Sequence, residues 1–272
     1  MRRISQPARE VKLLQRALML VLLERLPIHP SATAYRRGVS LLDNVKPHAG
    51  SGRPILKLDF REFFPSIRST DWTAYCREFV SDFSEEDVRL TAHLLFQKRD
   101  SLMRLAIGAP SSPMLSNILL FHFDTMVADA VAKDKVIYTR YADDMTFSAA
   151  RTGYLTGVIK TVVTIIRKMR TPRLELNVDK TVYATAKYQR SVTGLVLSNQ
   201  GDVTIGRDSK REIRAAVHHA SENRLNEDQL RVLAGKLAYI NSVEVSFLDV
   251  LRKKYGDSVI DMIRRNVSTG NR

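Results

Sequence analysis

Two adjacent aspartates, Asp143 and Asp144, lie inside a stretch whose other residues favour a β-strand, YTRYADDMTFSA over residues 138–149. Tyrosine, threonine and phenylalanine are strand formers, and charged side chains are normally kept out of such a run. Two explanations fit this pair taken alone. The aspartates mark a solvated turn between two strands, or they hold a cation.

A third aspartate, Asp59, ends the alternating stretch PILKLDF over residues 54–60, which predicts a buried strand. Asp59 is far from Asp143 along the chain, so only tertiary structure could bring the carboxylates together. Converging carboxylates raise one another's pKa unless cations neutralise them, and Mg²⁺ binds through a few carboxylates together with substrate phosphates. Two such ions stabilise the attacking and the leaving oxygen of a phosphoryl transfer. That chemistry suits a basic protein.

The chain as a whole carries excess positive charge. Its 272 residues have a formal net charge of +14 and an isoelectric point of about 10.0, and 44% of them are hydrophobic. The hydrophobic fraction is sufficient for a sizeable core. The charge suits nucleic-acid binding, because neutralised phosphates release counterions. The alternatives are a solvated basic surface or attraction to an anionic membrane.

The sequence predicts neither a membrane span nor a secretory signal. It has no apolar run of about eighteen residues, and its first residues lack an apolar stretch and a cleavage site. Cys76 is the single cysteine, which excludes an internal disulfide framework and a cysteine-based zinc cluster. We therefore expect a cytoplasmic protein without a membrane partner.

Hydrophobic periodicity predicts the elements that must position the aspartates. The hairpin of residues 138–149 and the strands 54–60, 181–184 and 191–197 lie in the middle of the chain, and the last quarter is helical. The Gly/Pro stretch 108–113 predicts a rigid loop. The predicted helices are 7–26, one starting near 70, one starting at Ser84 with a capping box to Asp87, 114–133, 154–170, 207–222, 226–241 and 246–255.

Four stretches, in order and spacing, resemble the palm motifs of reverse transcriptases. They are LKLDFREFFPSI (56–67), GAPSSPMLSN (108–117), YADDMTFS (141–148) and LNVDKT (176–181). Each motif alone is common, but the ordered set is specific. Two further stretches resemble retron reverse transcriptases in particular: NVKPH (44–48), similar to their NAxxH motif with Val45 in place of alanine, and the VTG of SVTGLVLS (191–198).

The resemblance implies an α+β, right-hand polymerase fold. Reduced fingers and early palm are expected over residues 1–58, an antiparallel-sheet palm over 59–205 and a helical thumb over 206–272. Retron enzymes usually have some dozens of residues before the stretch that matches residue 1, so Arg2 and Arg3 are the basic residues left near the usual triphosphate-contacting hairpin. Ile107 stands where a glutamine usually precedes the Gly-Ala-Pro loop.

The resemblance also implies roles for individual residues. Asp59, Asp143 and Asp144 would bind two Mg²⁺ ions and be catalytic. Lys180 would be an acid for the departing pyrophosphate, with a solvated lysine as the alternative. Phe64 would be the wall beneath the incoming sugar, or a core aromatic, whereas Phe63 is expected in the core. The remaining nucleotide contacts expected are Phe60, Gly108, Ala109 and Pro110.

RNA or primer contacts are expected from three parts of the chain. Asn44 and His48 are candidates, with a capping residue and a surface histidine as the alternatives. The others are Tyr141, the Val192–Thr193–Gly194 turn, and Lys210, Arg211 and Arg214 on a thumb helix.

The function implied is RNA-directed DNA synthesis by a retron enzyme. It would use deoxynucleoside triphosphates to copy a dedicated structured non-coding RNA into a branched RNA–DNA hybrid, in anti-phage defence with a separate effector protein. The runner-up is a group II intron-like or other defence reverse transcriptase. A rival of another class is a catalytically weak RNA-binding scaffold for an effector, which the short fingers and Ile107 favour and the intact aspartates oppose.

Overall fold

The computed structural model of the chain describes residues 4–265, so Arg2 and Arg3 lie outside the described residues. The described strands are β1 Ile55–Asp59, β2 Gln97–Arg99, β3 Leu102–Arg104, β4 Ile137–Tyr141, β5 Asp144–Ser148, β6 Val182–Ala184, β7 Arg190–Val192, β8 Leu195–Leu197 and β9 Val203–Thr204. The helices are α1 Arg9–Val21, α2 Leu41–Val45, α3 Phe63–Ser66, α4 Ser69–Phe79, α5 Glu85–Leu95, α6 Ser112–Leu119, α7 Phe121–Ala132, α8 Val158–Lys168, α9 Arg207–Ser221, α10 Glu227–Val243, α11 Val245–Tyr255 and α12 Asp257–Arg265.

The described chain forms two compact units. The first contains the residues up to His48 together with Arg53–Tyr188, and the second contains Ala49–Gly52 and the chain from Gln189. The second unit therefore begins before residue 206, where the thumb was expected. Strands β7, β8 and β9 pair with one another over residues 190–204, and Glu244, near the end of α10, accepts hydrogen bonds from Thr204 and from the backbone of Ile205. These contacts join residues 190–205 to the helices that follow. No boundary falls at residue 58, because β1 pairs with strands on both sides.

A four-stranded antiparallel sheet in the order β4-β5-β1-β6 is the centre of the first unit. Strand β1 is buried along almost its whole length, as its apolar alternation predicts. Helices α6 and α7 supply the apolar side of the core, in which Leu115, Ile118 and Phe123 are fully buried with Leu58 and Phe147. The packed core thus supports the end of β1 that carries Asp59.

The helix predicted over residues 114–133 is two helices. It begins earlier, at Ser112, and breaks at Leu120, where α6 and α7 meet at an angle of 51°. The break lets the apolar faces of both helices stay on the same core, since Leu120 and its neighbours Ile118 and Phe123 are buried. Among residues 4–265 no single helix is long and apolar enough to cross a membrane; α6 and α7 reach that length and composition only as a bent pair.

Two hairpins were not predicted as such. Strand β2 is exposed and wholly polar, and β3 has only three residues, so neither shows the alternation that marks a half-buried strand. Asp100 and Ser101 form their turn with positive φ. The predicted strand 191–197 is interrupted by Thr193 and Gly194, with φ of 45° and 86°, which turn the chain between β7 and β8. The short helices α2 and α12 were also missed.

The second unit joins a three-stranded sheet, in the order β7-β8-β9, to helices α9–α12. Helices α10, α11 and α12 bury Leu237, Ile240, Leu251 and Ile260. The predicted helical end of the chain is therefore present, with one helix more than expected.

Candidate active site

The three aspartates of the sequence motifs meet at one edge of the four-stranded sheet. Asp59, the last residue of β1, is the register partner of Asp144, the first residue of β5. Asp143 lies in the two-residue turn between β4 and β5, and its carbonyl accepts a hydrogen bond of 3.3 Å from the backbone of Phe60. The structure thus brings together residues that the sequence separates widely. All three line one pocket of about 410 Å³ with Lys57 and Lys180.

Negative charge is concentrated at this edge. Burial is the largest cause that raises the pKa of Asp144; Lys57 lowers it, and Asp143 and a hydrogen bond with Asp59 raise it further. The ammonium of Lys180 lies 3.0 and 2.9 Å from the two carboxylate oxygens of Asp59. Lys180 is held there by its short 3-10 turn, Val178–Lys180, because the backbone of Asn177 donates to the carbonyl of Asp59 at 2.8 Å. The cluster therefore attracts cations, and Lys180 is one of them.

The carboxylates fit a hard divalent cation in chemistry. Carboxylate oxygens are the ligands that Mg²⁺ prefers. Burial raises the pKa of Asp144 most, and the nearby Asp143 and Asp59 raise it further, so a bound cation would offset the negative charge there. Across residues 4–265 no three His, Cys, Asp or Glu side chains are already arranged around a common point as metal ligands. Asp59 is engaged with Lys180 instead. Metal binding at Asp59, Asp143 and Asp144 therefore remains a proposal.

A second pocket, of about 540 Å³, opens beside the same aspartates. Its lining includes the charged groups Asp59, Asp143 and Lys180. It also includes Phe64, Ile107, Arg99 and Tyr35. Phe64 is only partly buried, as a wall residue must be, and Phe63 is in the core as expected. Arg99 and Tyr35 were missed by sequence reasoning, because neither belongs to a motif.

Phe60 belongs both to the core and to the lining of the second pocket. The residue is 2% exposed, its ring stacks on Phe63 at 5.5 Å between centroids, and the ring meets the edge of Phe123. Phe60 is also one of the residues that line the pocket of about 540 Å³. Contact of Phe60 with nucleotide stays a prediction.

The Gly-Ala-Pro loop is packed against the beginning of the described chain. The backbone of Ser5 donates to the carbonyl of Ile107 at 2.8 Å, and a Cβ on Gly108 would lie 3.0 Å from the carbonyl oxygen of Ser5. Gly108 has a φ of 113°, so glycine is required there for conformation and for space. Ala109 is buried, and of this stretch Ile107 lines the pocket of about 540 Å³. Contact of Gly108, Ala109 and Pro110 with nucleotide stays a prediction.

Asn44 and His48 are interior residues, 1% and 0% exposed. The two ring nitrogens of His48 each lie 2.8 Å from a hydroxyl, on Ser148 and on Thr139, and the side-chain oxygen of Asn44 accepts a hydrogen bond from Thr33. The prediction that these side chains contact RNA is wrong for this structure, because neither reaches the surface. Burial also lowers the pKa of His48 to about 3.

A buried ion pair holds the turn that carries the aspartates. Arg140 and Asp124 are both fully buried, and the guanidinium donates to the two carboxylate oxygens at 2.8 and 2.6 Å. The same guanidinium donates to the carbonyl of Ala142 at 2.9 Å, and Tyr138 donates to Asp124 at 2.7 Å. Ala142 has a φ of 58°, a strained value for alanine, so this hydrogen bond helps to fix the turn. Tyr141, beyond Arg140, is half-buried beside Tyr35.

The other predicted RNA contacts lie in the second unit. Val192 is fully buried, so its side chain is a core group and cannot contact RNA; Thr193 and Gly194 form the turn itself. Lys210 is paired with Glu244 and lies over the ring of Phe247. Arg214 is exposed and also lies over Phe247, 5.0 Å from the ring centroid, and Arg211 is exposed with a weak pair to Asp208.

The family comparison assigns residues 1–197 to the reverse transcriptase (RNA-dependent DNA polymerase) family. The retron Ec83 reverse transcriptase of Escherichia coli is 34% identical over 267 residues, which cover 96% of this chain and 85% of that protein. The retron Ec86 reverse transcriptase of Escherichia coli is 33% identical over 268 residues, covering 96% and 80%. The chain therefore belongs to the reverse transcriptase family and, within it, to the retron reverse transcriptases.

Among solved structures, apo telomerase from Candida tropicalis has the same fold. It superimposes with a TM-score of 0.53 at 14% identity, and the match covers 96% of this chain and 50% of that one. The predicted right-hand polymerase fold of helices and antiparallel sheet is confirmed. The activity that goes with the family, RNA-directed DNA polymerisation on an RNA template, is confirmed as well.

Proposed function

We propose that this polymerase copies one dedicated, structured retron RNA and leaves its product as a branched RNA–DNA hybrid. The observation that carries the proposal is the convergence of Asp59, Asp143 and Asp144 beside Lys180 and a pocket of about 540 Å³. Similarity to retron enzymes along nearly the whole chain supports the choice of template. The setting proposed is the cytoplasm, in anti-phage defence with a separate effector protein.

The proposed reaction places the primer end and the nucleotide between the aspartates and the second pocket. Two Mg²⁺ ions held by Asp59, Asp143 and Asp144 would supply charge stabilisation for the attacking hydroxyl and the triphosphate. Lys180, whose side chain is 46% exposed, has its ammonium close enough to Asp59 to reach the same phosphates. We assign it the role of proton donor to the departing pyrophosphate.

The nucleotide would lie in the pocket of about 540 Å³ that contains Phe64, Arg99 and Ile107. Phe64 would limit the space at the 2′ position of the sugar, so that a ribonucleotide clashes. The side chain of Arg99 is 42% exposed and lies on the short β2–β3 hairpin, so its guanidinium is accessible to a triphosphate in this pocket. We therefore assign to Arg99 a contact with the triphosphate.

Recognition of the RNA would depend on the second unit. Folded RNA is recognised through its shape, its loops and its 2′-hydroxyls. Exposed Arg211 and Arg214 on α9 and the turn at Thr193 and Gly194 offer basic and backbone groups for such contacts. Lys210 is a weaker candidate than expected, because Glu244 already neutralises it.

Sequencing the nucleic acid that copurifies with the protein tests this proposal. The expected result is one RNA species joined to DNA through a 2′–5′ linkage at a guanosine, so that a debranching enzyme releases the two strands. DNA without attached RNA, or joined only 3′–5′, would favour another class of reverse transcriptase. RNA without any DNA, together with no primer extension in Mg²⁺, would favour an RNA-binding scaffold.

A further inference from the structure

The segment Asn44–His48 touches the hairpin that carries two of the aspartates. It begins in α2 and ends in a 3-10 turn over Lys46–His48. The imidazole of His48 bridges the two strands of the hairpin. Its ring nitrogens lie 2.8 Å from the hydroxyl of Thr139 in β4 and from that of Ser148 in β5. The carbonyl of Asn44 accepts a hydrogen bond of 3.3 Å from the same Thr139 hydroxyl.

These contacts fit one tautomer of the neutral histidine. When the Thr139 hydroxyl donates to the carbonyl of Asn44, it accepts from Nε2 of His48. Nδ1 then accepts from Ser148, and we assign this tautomer to His48. Each polar group has a partner, and the neutral ring is the form that fits.

The side chain of Asn44 extends the same contacts to the edge of the sheet. It accepts from the hydroxyl of Thr33 at 3.0 Å, and that hydroxyl also lies 3.2 Å from the carbonyl of Arg140. The backbone of Thr33 donates to the carbonyl of Arg140 at 2.9 Å, and that of Arg140 donates to Ser31 at 2.7 Å. Residues 31–33 thus cover β4, which is the edge strand of the sheet. Arg140 in turn holds the carbonyl of Ala142 in the catalytic turn.

We propose that Asn44 and His48 are positioning residues for polymerisation, which fix the β4–β5 hairpin so that Asp143 and Asp144 stay opposite Asp59. Arg140 fixes the end of the hairpin at Ala142, whereas His48 bridges its two strands at Thr139 and Ser148. A misplacement of about 1 Å in an active site costs about 100-fold in rate. The inference rests on the proposed function only for its kinetic measurement. Positioning of the hairpin, rather than contact with RNA, is then the role of Asn44 and His48 in the NVKPH motif.

The test compares three substitutions in extension of a pre-annealed primer. His48→Leu removes both hydrogen bonds, and we expect kcat to fall about 10- to 100-fold with the KM for deoxynucleotide and the Kd for RNA within about twofold of wild type. His48→Gln can retain one of the two bonds and should lose less. His93→Leu is the matched control, because His93 is an exposed histidine on α5 whose ring bonds only within its own helix, and it should behave as wild type.

Two further measurements separate positioning from simple loss of folding. His48→Leu with Ser148→Ala removes the hydroxyl left without a partner, so its melting temperature should recover toward wild type while kcat stays low. In ¹⁵N-histidine NMR spectra, wild-type His48 should show a neutral ring with hydrogen on Nε2 that does not titrate near pH 6.5.

The proposal is overturned if His48→Leu keeps full kcat, or if its main loss is RNA affinity. A His48 imidazole that takes up a proton near pH 6.5 would overturn it independently of any activity. Wild-type protein that extends no primer would instead count against the proposed function, and the NMR result would still decide the placement of His48.

Discussion

Phe64 and His48 differ in whether their side chains can contact a ligand. Phe64 is half-buried and lines the pocket that also contains Asp59 and Lys180, so it can meet a ligand. His48 is fully enclosed and has a partner at each ring nitrogen, so it acts only through its neighbours. Exposure, which the sequence does not report for single residues, separates the two.

Phe64→Ala should raise the incorporation of ribonucleotides relative to deoxynucleotides, because the smaller side chain removes the obstacle at the 2′ position. One methylene more or less in a fitted pocket changes discrimination by about 10- to 200-fold, and we expect a change within this range. Single-nucleotide extension with each nucleotide gives the ratio of kcat/KM values. Phe64→Tyr keeps the ring and should keep most of the preference, whereas an unchanged preference in Phe64→Ala would make Phe64 a core residue only.

His48 should make the folded state sensitive to acid. Burial is the largest cause that lowers its pKa to about 3, and Arg53 lowers it further. The unfolded state takes up a proton near pH 6.5 and the folded state does not, so the stability from this residue is complete above pH 6.5. It declines by about 1.4 kcal/mol per pH unit as the pH falls from 6.5 toward 3.

Urea unfolding at pH 7, 6 and 5 measures this dependence. His48→Gln should show a shallower loss of unfolding free energy than wild type. Equal slopes for wild type and His48→Gln would mean that His48 is not buried in the neutral form.

At the scale of elements, the short hairpins are the parts of the fold that were hardest to predict from the sequence. The β4–β5 hairpin could be predicted, because strand formers flank its acidic turn. The hydrogen bond from Arg140 to Ala142 could not, because the guanidinium is held in place by Asp124 of helix α7. The β2–β3 hairpin could not be predicted, because each strand has only three residues and β2 is wholly polar and exposed, so no alternation is visible. NVKPH could be recognised as a motif. The burial of Asn44 and His48, which contradicts the expected RNA contact, depends on long-range packing that the motif does not show.

Arg99→Ala should raise the KM for deoxynucleotides several-fold with little change in kcat, if this arginine binds the triphosphate before and during the reaction alike. The loss of one exposed charge-assisted contact is about 1 kcal/mol, or about fivefold. Lys98→Ala is the control, because Lys98 is exposed on the same strand and does not line the pocket. Steady-state kinetics with equal effects of both substitutions would indicate only a general loss of positive charge.

At the scale of the whole molecule, the net charge of +14 and the folded RNA partner have separate consequences. Charge neutralisation gives affinity for any phosphate backbone and makes it depend on salt. Selection of one RNA needs contacts that general attraction cannot supply. The second unit contains the exposed basic helix α9, so it is where the two effects can be separated by mutation.

Arg211→Ala combined with Arg214→Ala should weaken binding of the copurifying RNA and priming from it more than extension of a pre-annealed primer. If both arginines contact phosphates, the slope of log K against log salt should decrease by about two. Filter binding over a salt series measures the slope. Arg207→Ala provides a comparison at the start of the same helix. Equal losses on both substrates would make α9 a general duplex clamp.

Primer extension by Asp143→Asn in Mg²⁺ tests the central claim, that Asp59, Asp143 and Asp144 form the polymerising site. We expect DNA synthesis to be abolished, while RNA affinity and melting temperature stay near wild type, because the substitution relieves repulsion within a cluster of like charges. Asp134→Asn, at an exposed aspartate outside the cluster, should extend the primer normally. Near wild-type extension by Asp143→Asn would contradict the account.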